Sequence, residues 1–197
     1  MRILLFISLL VFFSCTAKNT KVQTEYLQQD TVQTNNIEKV IHNDTNFVSV
    51  FLNIDYKGSI DVFDKPNGKI IKSLKNDFEG EDFVMFDLLH KNDSMFFVIS
   101  YYSTSDSIIA KGWIHKSKYI SIYTRANDAV NRPLILYKYP NNTSQIVAKD
   151  MEYNIDMYEV IDFEGRWLKI KAKINGKIYE GWIPPEMQCS NVYTTCT

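Results

Sequence analysis

The sequence predicts an all-β fold, and three observations predict it. Apolar β-forming residues come in short runs bounded by turn residues, as strands do. No stretch carries helical periodicity over a convincing length. Gly-Trp-Ile is written twice, at Gly112–Ile114 and Gly181–Ile183, each time after a similar series of runs. That recurrence predicts a duplicated β unit rather than one undivided domain.

The chain has 197 residues, 45% of them hydrophobic and 14% aromatic, which suffices for a packed core. Its formal net charge of −1 leaves no field to draw nucleic acid or an anionic membrane surface. With 7 Gly, 5 Pro and mixed charge, most of the chain is expected to fold.

The first element is apolar. After Met1-Arg2, Ile3–Phe13 is nearly unbroken in hydrophobicity. It is about half of the ~20 residues that a spanning helix needs, and it suits the apolar segment of a secretory signal peptide. Ser14-Cys15 follows and resembles the lipobox of bacterial lipoproteins. The resemblance implies a signal peptide over residues 1–14, its removal, and acylation of Cys15 with palmitate-type chains. Two or three chains make a stable anchor where one is marginal. The alternative is an ordinary signal peptide with a Cys near its end.

Residues 15–45 read as the lipidated Cys and a flexible tether. Thr16–Thr45 is rich in Thr, Gln and Asn and lacks periodicity, although Ile37–Ile41 suits a turn of helix. About 30 residues of coil reach roughly 30 Å, so the folded part can stand off the membrane. Thr16-Ala17-Lys18-Asn19 carries neither an Asp directly after the Cys nor an acidic run. By analogy with lipoprotein sorting signals, this points to the outer membrane, facing the periplasm.

Two sets of strands follow. The first comprises Phe47–Ile54, Ser59–Phe63, Phe83–Leu89, Met95–Tyr102, Ile108–Ile114 and Tyr119–Tyr123. The second comprises Leu134–Tyr139, Met157–Ile161, Trp167–Ile174, Lys177–Ile183 and Val192–Tyr193. Asn175-Gly176 predicts a type I′ hairpin turn, which needs φ > 0 at both residues. Asp61–Ile71 aligns with Ile135–Val147, Phe83–Ser100 with Met157–Lys171, and Lys111–Ile114 with Glu180–Ile183. These alignments place one unit at 46–124 and another at 131–197, joined by the short connector Arg125–Val130.

The series Leu136-Tyr137-Lys138-Tyr139-Pro140, Val160–Lys171 and Glu180–Ile183 resembles the bacterial SH3-like domain, a small β-barrel of envelope proteins. The resemblance covers the folded part as two copies, the first looser, with Met95 where the second has Trp167. It implies two tandem SH3-like barrels behind a lipid anchor. Proteins of that kind often continue into a cell-wall cysteine peptidase domain, and the residues of such a domain are not expected here.

Catalysis finds no constellation. The His residues are His42, His90 and His115, none near a Cys in sequence, and no Gly-x-Ser-x-Gly elbow occurs. Carboxylates are spread through loops, at Asp77, Glu79, Glu81 and Asp82 and again at Asp150, Glu152 and Asp156, without metal-ligand spacing. The expectation is a chain that is not an enzyme and takes no cofactor or metal. With Cys15 assigned to lipid, Cys189 and Cys196 remain, and an oxidising compartment favours their pairing. Closing so short a loop stabilises by about 2.5 kcal/mol. A redox pair or metal site is the alternative, though the spacing is not Cys-x-x-Cys.

Binding is the better expectation. Alternation puts Leu168, Ile170, Ala172 and Ile174 on a core face and leaves Trp167 with Lys169, Lys171 and Lys173 on the other. Ile135–Tyr139 and Gly181–Pro184 also resemble the groove segments of eukaryotic SH3 domains. That resemblance implies a groove lined by Tyr137, Tyr139, Trp167 and Pro184. Asp156 and Glu164 lie beside it in sequence and would favour a cationic peptide, such as a peptidoglycan stem. No Asn-Tyr follows Pro184, so proline-helix recognition is not implied. Trp167 packed against the other copy is the alternative for the groove. The expected role is peptidoglycan or peptide binding; the other reading is a structural or regulatory lipoprotein that binds a protein partner, for example inhibiting an envelope enzyme.

Overall fold

The computed structural model describes residues 47–105, 107–126, 131–151 and 156–194. Residues 1–14, Cys15, the 15–45 tether, His42, Glu152 and Cys196 lie outside the described residues. The unit Asn46–Thr197 is all-β, with thirteen strands, antiparallel wherever they pair, and no α-helix among the described residues.

The first repeat follows a leading strand, β1 (Val48–Leu52). It contains β2 (Ile60–Phe63), β3 (Ile70–Leu74), β4 (Val84–Lys91), β5 (Met95–Tyr102), β6 (Ile108–His115) and β7 (Ile120–Thr124). The second contains β8 (Leu134–Tyr137), β9 (Ile146–Asp150), β10 (Tyr158–Glu164), β11 (Trp167–Ile174), β12 (Lys177–Ile183) and β13 (Gln188–Cys189), with a 3-10 turn at Pro185–Met187 before the last. Strands β3 and β9 have no counterpart among the runs named from sequence. They are mostly exposed edge strands, so burial imposes no alternation on them. The C-terminal strand is Gln188–Cys189, and Val192–Tyr193 forms a bend.

The repeat extends to fine detail. A bulge interrupts β2–β3 between Val62 and Phe63, and β8–β9 between Leu136 and Tyr137. Another interrupts β4–β5 between Leu88 and His90, and β10–β11 between Val160 and Asp162. Bulges bend a strand and re-aim its side chains. They also explain the glycine of each Gly-Trp-Ile. A Cβ on Gly112 would lie 2.4 Å from the Phe63 carbonyl oxygen, and one on Gly181 would lie 2.7 Å from the Leu136 Cβ. The bent partner strand thus passes where a side chain would begin. The turn at Asn175-Gly176 has φ of 49° and 79°, as a type I′ hairpin requires.

Pairing runs β3-β2-β6-β5-β4-β1-β7-β10-β11-β12-β8-β9, and β13 pairs with β7 as well. Closure into two separate barrels, expected from the sequence, is not seen among the described residues; the path ends at β3 and β9. The reason is β7. It belongs to the first repeat by sequence, yet Ser121 pairs with Phe51 of β1 and with Glu159 of β10, and Tyr123 pairs with Cys189 of β13. Arg125 reinforces the junction, its backbone N–H donating to the Met187 carbonyl at 2.9 Å and its Nε to the Gln188 carbonyl at 3.0 Å.

One core runs through both repeats. Val50, Phe86, Val98, Ile114 and Ile122 of the first are contiguous with Val160, Ile170 and Ile183 of the second. Alternation places these residues inward. The alternate positions Phe51, Met85 and Ile99 are buried too, so the middle strands bury apolar residues on both faces.

Candidate functional site

Tyr137 ends β8 just past its bulge and stands opposite Trp182 of β12. Trp167 opens β11, opposite Glu164 across a turn in which Gly165 takes φ of 54°. The two rings meet edge to face, with centroids 5.8 Å apart and planes at 85°. That geometry suits the ring quadrupoles. Pro184 leaves β12 in extended conformation, and its carbonyl accepts the Met187 N–H at 3.0 Å. The 3-10 turn therefore begins at the edge of the aromatic pair.

A depression of about 470 Å³ opens beside them, lined by Arg132, Ile135, Tyr137, Pro184, Glu186 and Met187 among others. Three of the expected groove residues are thus brought together: Tyr137 and Pro184 line the depression, and Trp167 packs on Tyr137. Pro184 is itself buried and forms the wall rather than a projecting contact. The other three go elsewhere. Tyr139 is 57% exposed, with Lys138 Nζ 5.5 Å from its ring centre, and does not line the depression.

Glu164 is not a bare acidic flank: Lys91 of the first repeat lies 3.3 Å from its Oε2. Asp156 lines a second, smaller depression of about 300 Å³, together with Lys118, Tyr158, Lys171 and Lys173. There, burial and the charges of Asp156 and Asp150 push the Tyr158 hydroxyl up to about 12. The expected Lys face of β11 is neutralised in part, Lys169 by Glu180 and Lys171 by Glu159, each at 3.2 Å.

Sequence reasoning missed Arg132 and Glu186. Arg132 lies just after the connector, and Glu186 lies in the 3-10 turn after Pro184, so neither belongs to a recognisable motif. Their opposite charges at the rim suit a ligand that carries both signs or a peptide backbone. Cys189 is buried on β13, while its expected partner Cys196 lies outside the described residues. Among the described residues, no three His, Cys, Asp or Glu side chains gather as a metal would require. The site defines a class in structural terms: an antiparallel all-β repeat protein with an aromatic, charge-rimmed cleft. The chain matches no known family model and no curated protein.

Proposed function

We propose that this chain is a non-catalytic lipoprotein of the bacterial cell envelope, built from two SH3-like units, that binds peptidoglycan or a peptide ligand. The observation that carries this reading is the Tyr137–Trp167 pair beside the depression walled by Pro184 and rimmed by Arg132 and Glu186. Aromatic pairs in a shallow cleft supply much contact area for little ordering cost. The strand order β8–β12, 3-10 turn, β13 supports the SH3-like assignment, and the equivalent bulges extend it to the first repeat. Anchoring rests on the Ser14-Cys15 motif, and the location is the outer membrane, facing the periplasm. No cofactor and no nucleic acid enter this reading. The Cys189–Cys196 pairing belongs to it as a clip on the C-terminal segment.

Cosedimentation with purified sacculi is the test. A soluble form covering residues 16–197 is expected to pellet at low salt, and Trp167→Ala to lower the pelleted fraction. Protein that stays in the supernatant overturns wall binding. An unchanged fraction for the variant overturns the groove. One observation favours the second reading, a partner-binding lipoprotein: the edge strands β3 and β9 expose Ile70, Ile71 and Ile146. Open apolar edges accept a strand from another chain. A pull-down from envelope extract that recovers one stoichiometric protein, with no sacculus binding, selects it.

A further inference from the structure

The first repeat carries a second aromatic surface, on the outer side of its strands. The register makes it one transverse row. His90 of β4 pairs with Phe97 of β5, Phe97 pairs with Trp113 of β6, and Trp113 pairs with Phe63 of β2. Four adjacent strands thus each contribute a ring at the same level. His90 stacks on Phe97 with centroids 6.0 Å apart, and Phe97 lies 5.4 Å from Trp113. His115, one residue pair further along β6, meets Phe63 edge-on at 5.3 Å. Phe63, Phe97 and Trp113 are half-buried and both imidazoles are exposed.

The second repeat keeps Trp at one of the four positions, Trp182, and puts Asp162, Lys169 and Tyr137 at the other three. That row is already engaged. Lys91 and Lys116 of the first repeat reach Asp162 at 3.0 and 3.4 Å, Lys91 also lies 5.9 Å from the Trp182 ring centre, and Lys169 holds Glu180. None of the four row positions holds Lys, Arg, Asp or Glu; Lys91 and Lys116 are engaged with Asp162, and Lys111 stands one pair along β6 from Trp113 on the same face.

We infer that the His90–Phe97–Trp113–Phe63 row is a binding surface for a neutral linear saccharide. Three strand-to-strand steps span about 14 Å, the length of about three pyranose rings. A pyranose offers an apolar C–H face and a rim of hydroxyls. The C–H face suits the electron-rich face of an aromatic ring. The hydroxyls need partners that both donate and accept, and a neutral imidazole has one nitrogen of each kind. An ionic ligand finds no counter-charge within the row, so electrostatics favours a neutral one. This surface is distinct from the Tyr137–Trp167 cleft and does not depend on it.

Calorimetric titration of the full chain with N-acetylchitotetraose and cellotetraose tests the assignment. Saturable binding of at least one is expected. Phe97→Lys imports the residue of the second repeat and should weaken it about tenfold, the usual loss for one stacking ring. Trp113→Ala should do the same or more. Near-ultraviolet circular dichroism checks folding, and if Trp113→Ala unfolds, Phe97→Lys and the exposed His90→Ala decide. The inference is overturned if neither tetrasaccharide binds, if folded Phe97→Lys binds as wild type does, or if only a cationic peptide binds the row.

Discussion

The two repeats share strand order, bulge positions and the glycine of Gly-Trp-Ile, yet they present different outer rows. His90, Phe97, Trp113 and Phe63 stand where Asp162, Lys169, Trp182 and Tyr137 stand in the other. What is common lies where backbone passes close to backbone. What differs lies where side chains leave the sheet. The lesson is that the shared features are those of the backbone frame, while contact between the two halves determines which outer side chains are engaged. Asp162 makes one row an anchor for Lys91 and Lys116, while the other row presents rings.

The strongest way to break this comparison is to separate the copies. A fragment covering residues 131–197 lacks β7, so β10 loses the partners of Tyr158 and Glu159, and β13 loses its only described strand neighbour. It should fail to fold, giving no cooperative thermal transition. A cooperative transition would show that the second repeat is autonomous.

The next largest effect sharpens the shared frame. Gly112→Ala drives a Cβ against the Phe63 carbonyl and Val62, and should cost about 2–4 kcal/mol. Gly181→Ala meets the Leu136 Cβ and a more distant carbonyl, and should cost about 1–2 kcal/mol. Chemical denaturation of both variants checks the order; equal costs would show that the two close approaches are equally tight in solution.

A smaller effect belongs to the contact between copies. Lys91 pairs with both Asp162 and Glu164, partly exposed to solvent. Lys91→Ala should cost about 0.5–1 kcal/mol at low salt and less at high salt, where surface pairs are screened. A loss that does not respond to salt would assign the role to packing on Phe163 and Trp182 instead.

The smallest effect is one of pH, at a site the second repeat does not share. Asp87 of β4 accepts hydrogen bonds from Ser49 at 2.6 Å and Tyr101 at 3.1 Å. Burial nevertheless holds its carboxyl above the usual carboxylate value, the two hydrogen bonds offsetting it only in part. The unfolded chain therefore releases this proton at lower pH than the folded chain does. The resulting stabilisation is complete below the ordinary aspartate value and is lost as pH rises through the raised one. Asp87→Asn removes that dependence. Its melting temperature should gain on wild type across this window, and a constant difference would place the two states at one pKa.

Much of this was legible in the residues themselves. The alternation of Leu168, Ile170, Ala172 and Ile174 settled the core face of β11, because side chains on a strand alternate whatever the strand packs on. Asn175-Gly176 named its turn because few residues tolerate φ > 0. The recurrence of Gly-Trp-Ile marked two strands, β6 and β12, that each pair with a bulged strand. Edge strands β3 and β9 were not legible, because only their last residue is buried and no pattern is imposed. Glu164 looked like part of an acidic flank because Lys91 is far away in sequence.

The sequence by itself determined local geometry, such as the Asn175-Gly176 turn and the alternation of β11, since this depends on neighbours a few residues apart. Only the tertiary structure decided that the copies share β7, that Glu164 and Asp156 part company, and that four rings from four strands form one row. Those outcomes depend on register and on which edge meets which, and cross-strand neighbours are set by pairing rather than by distance along the chain.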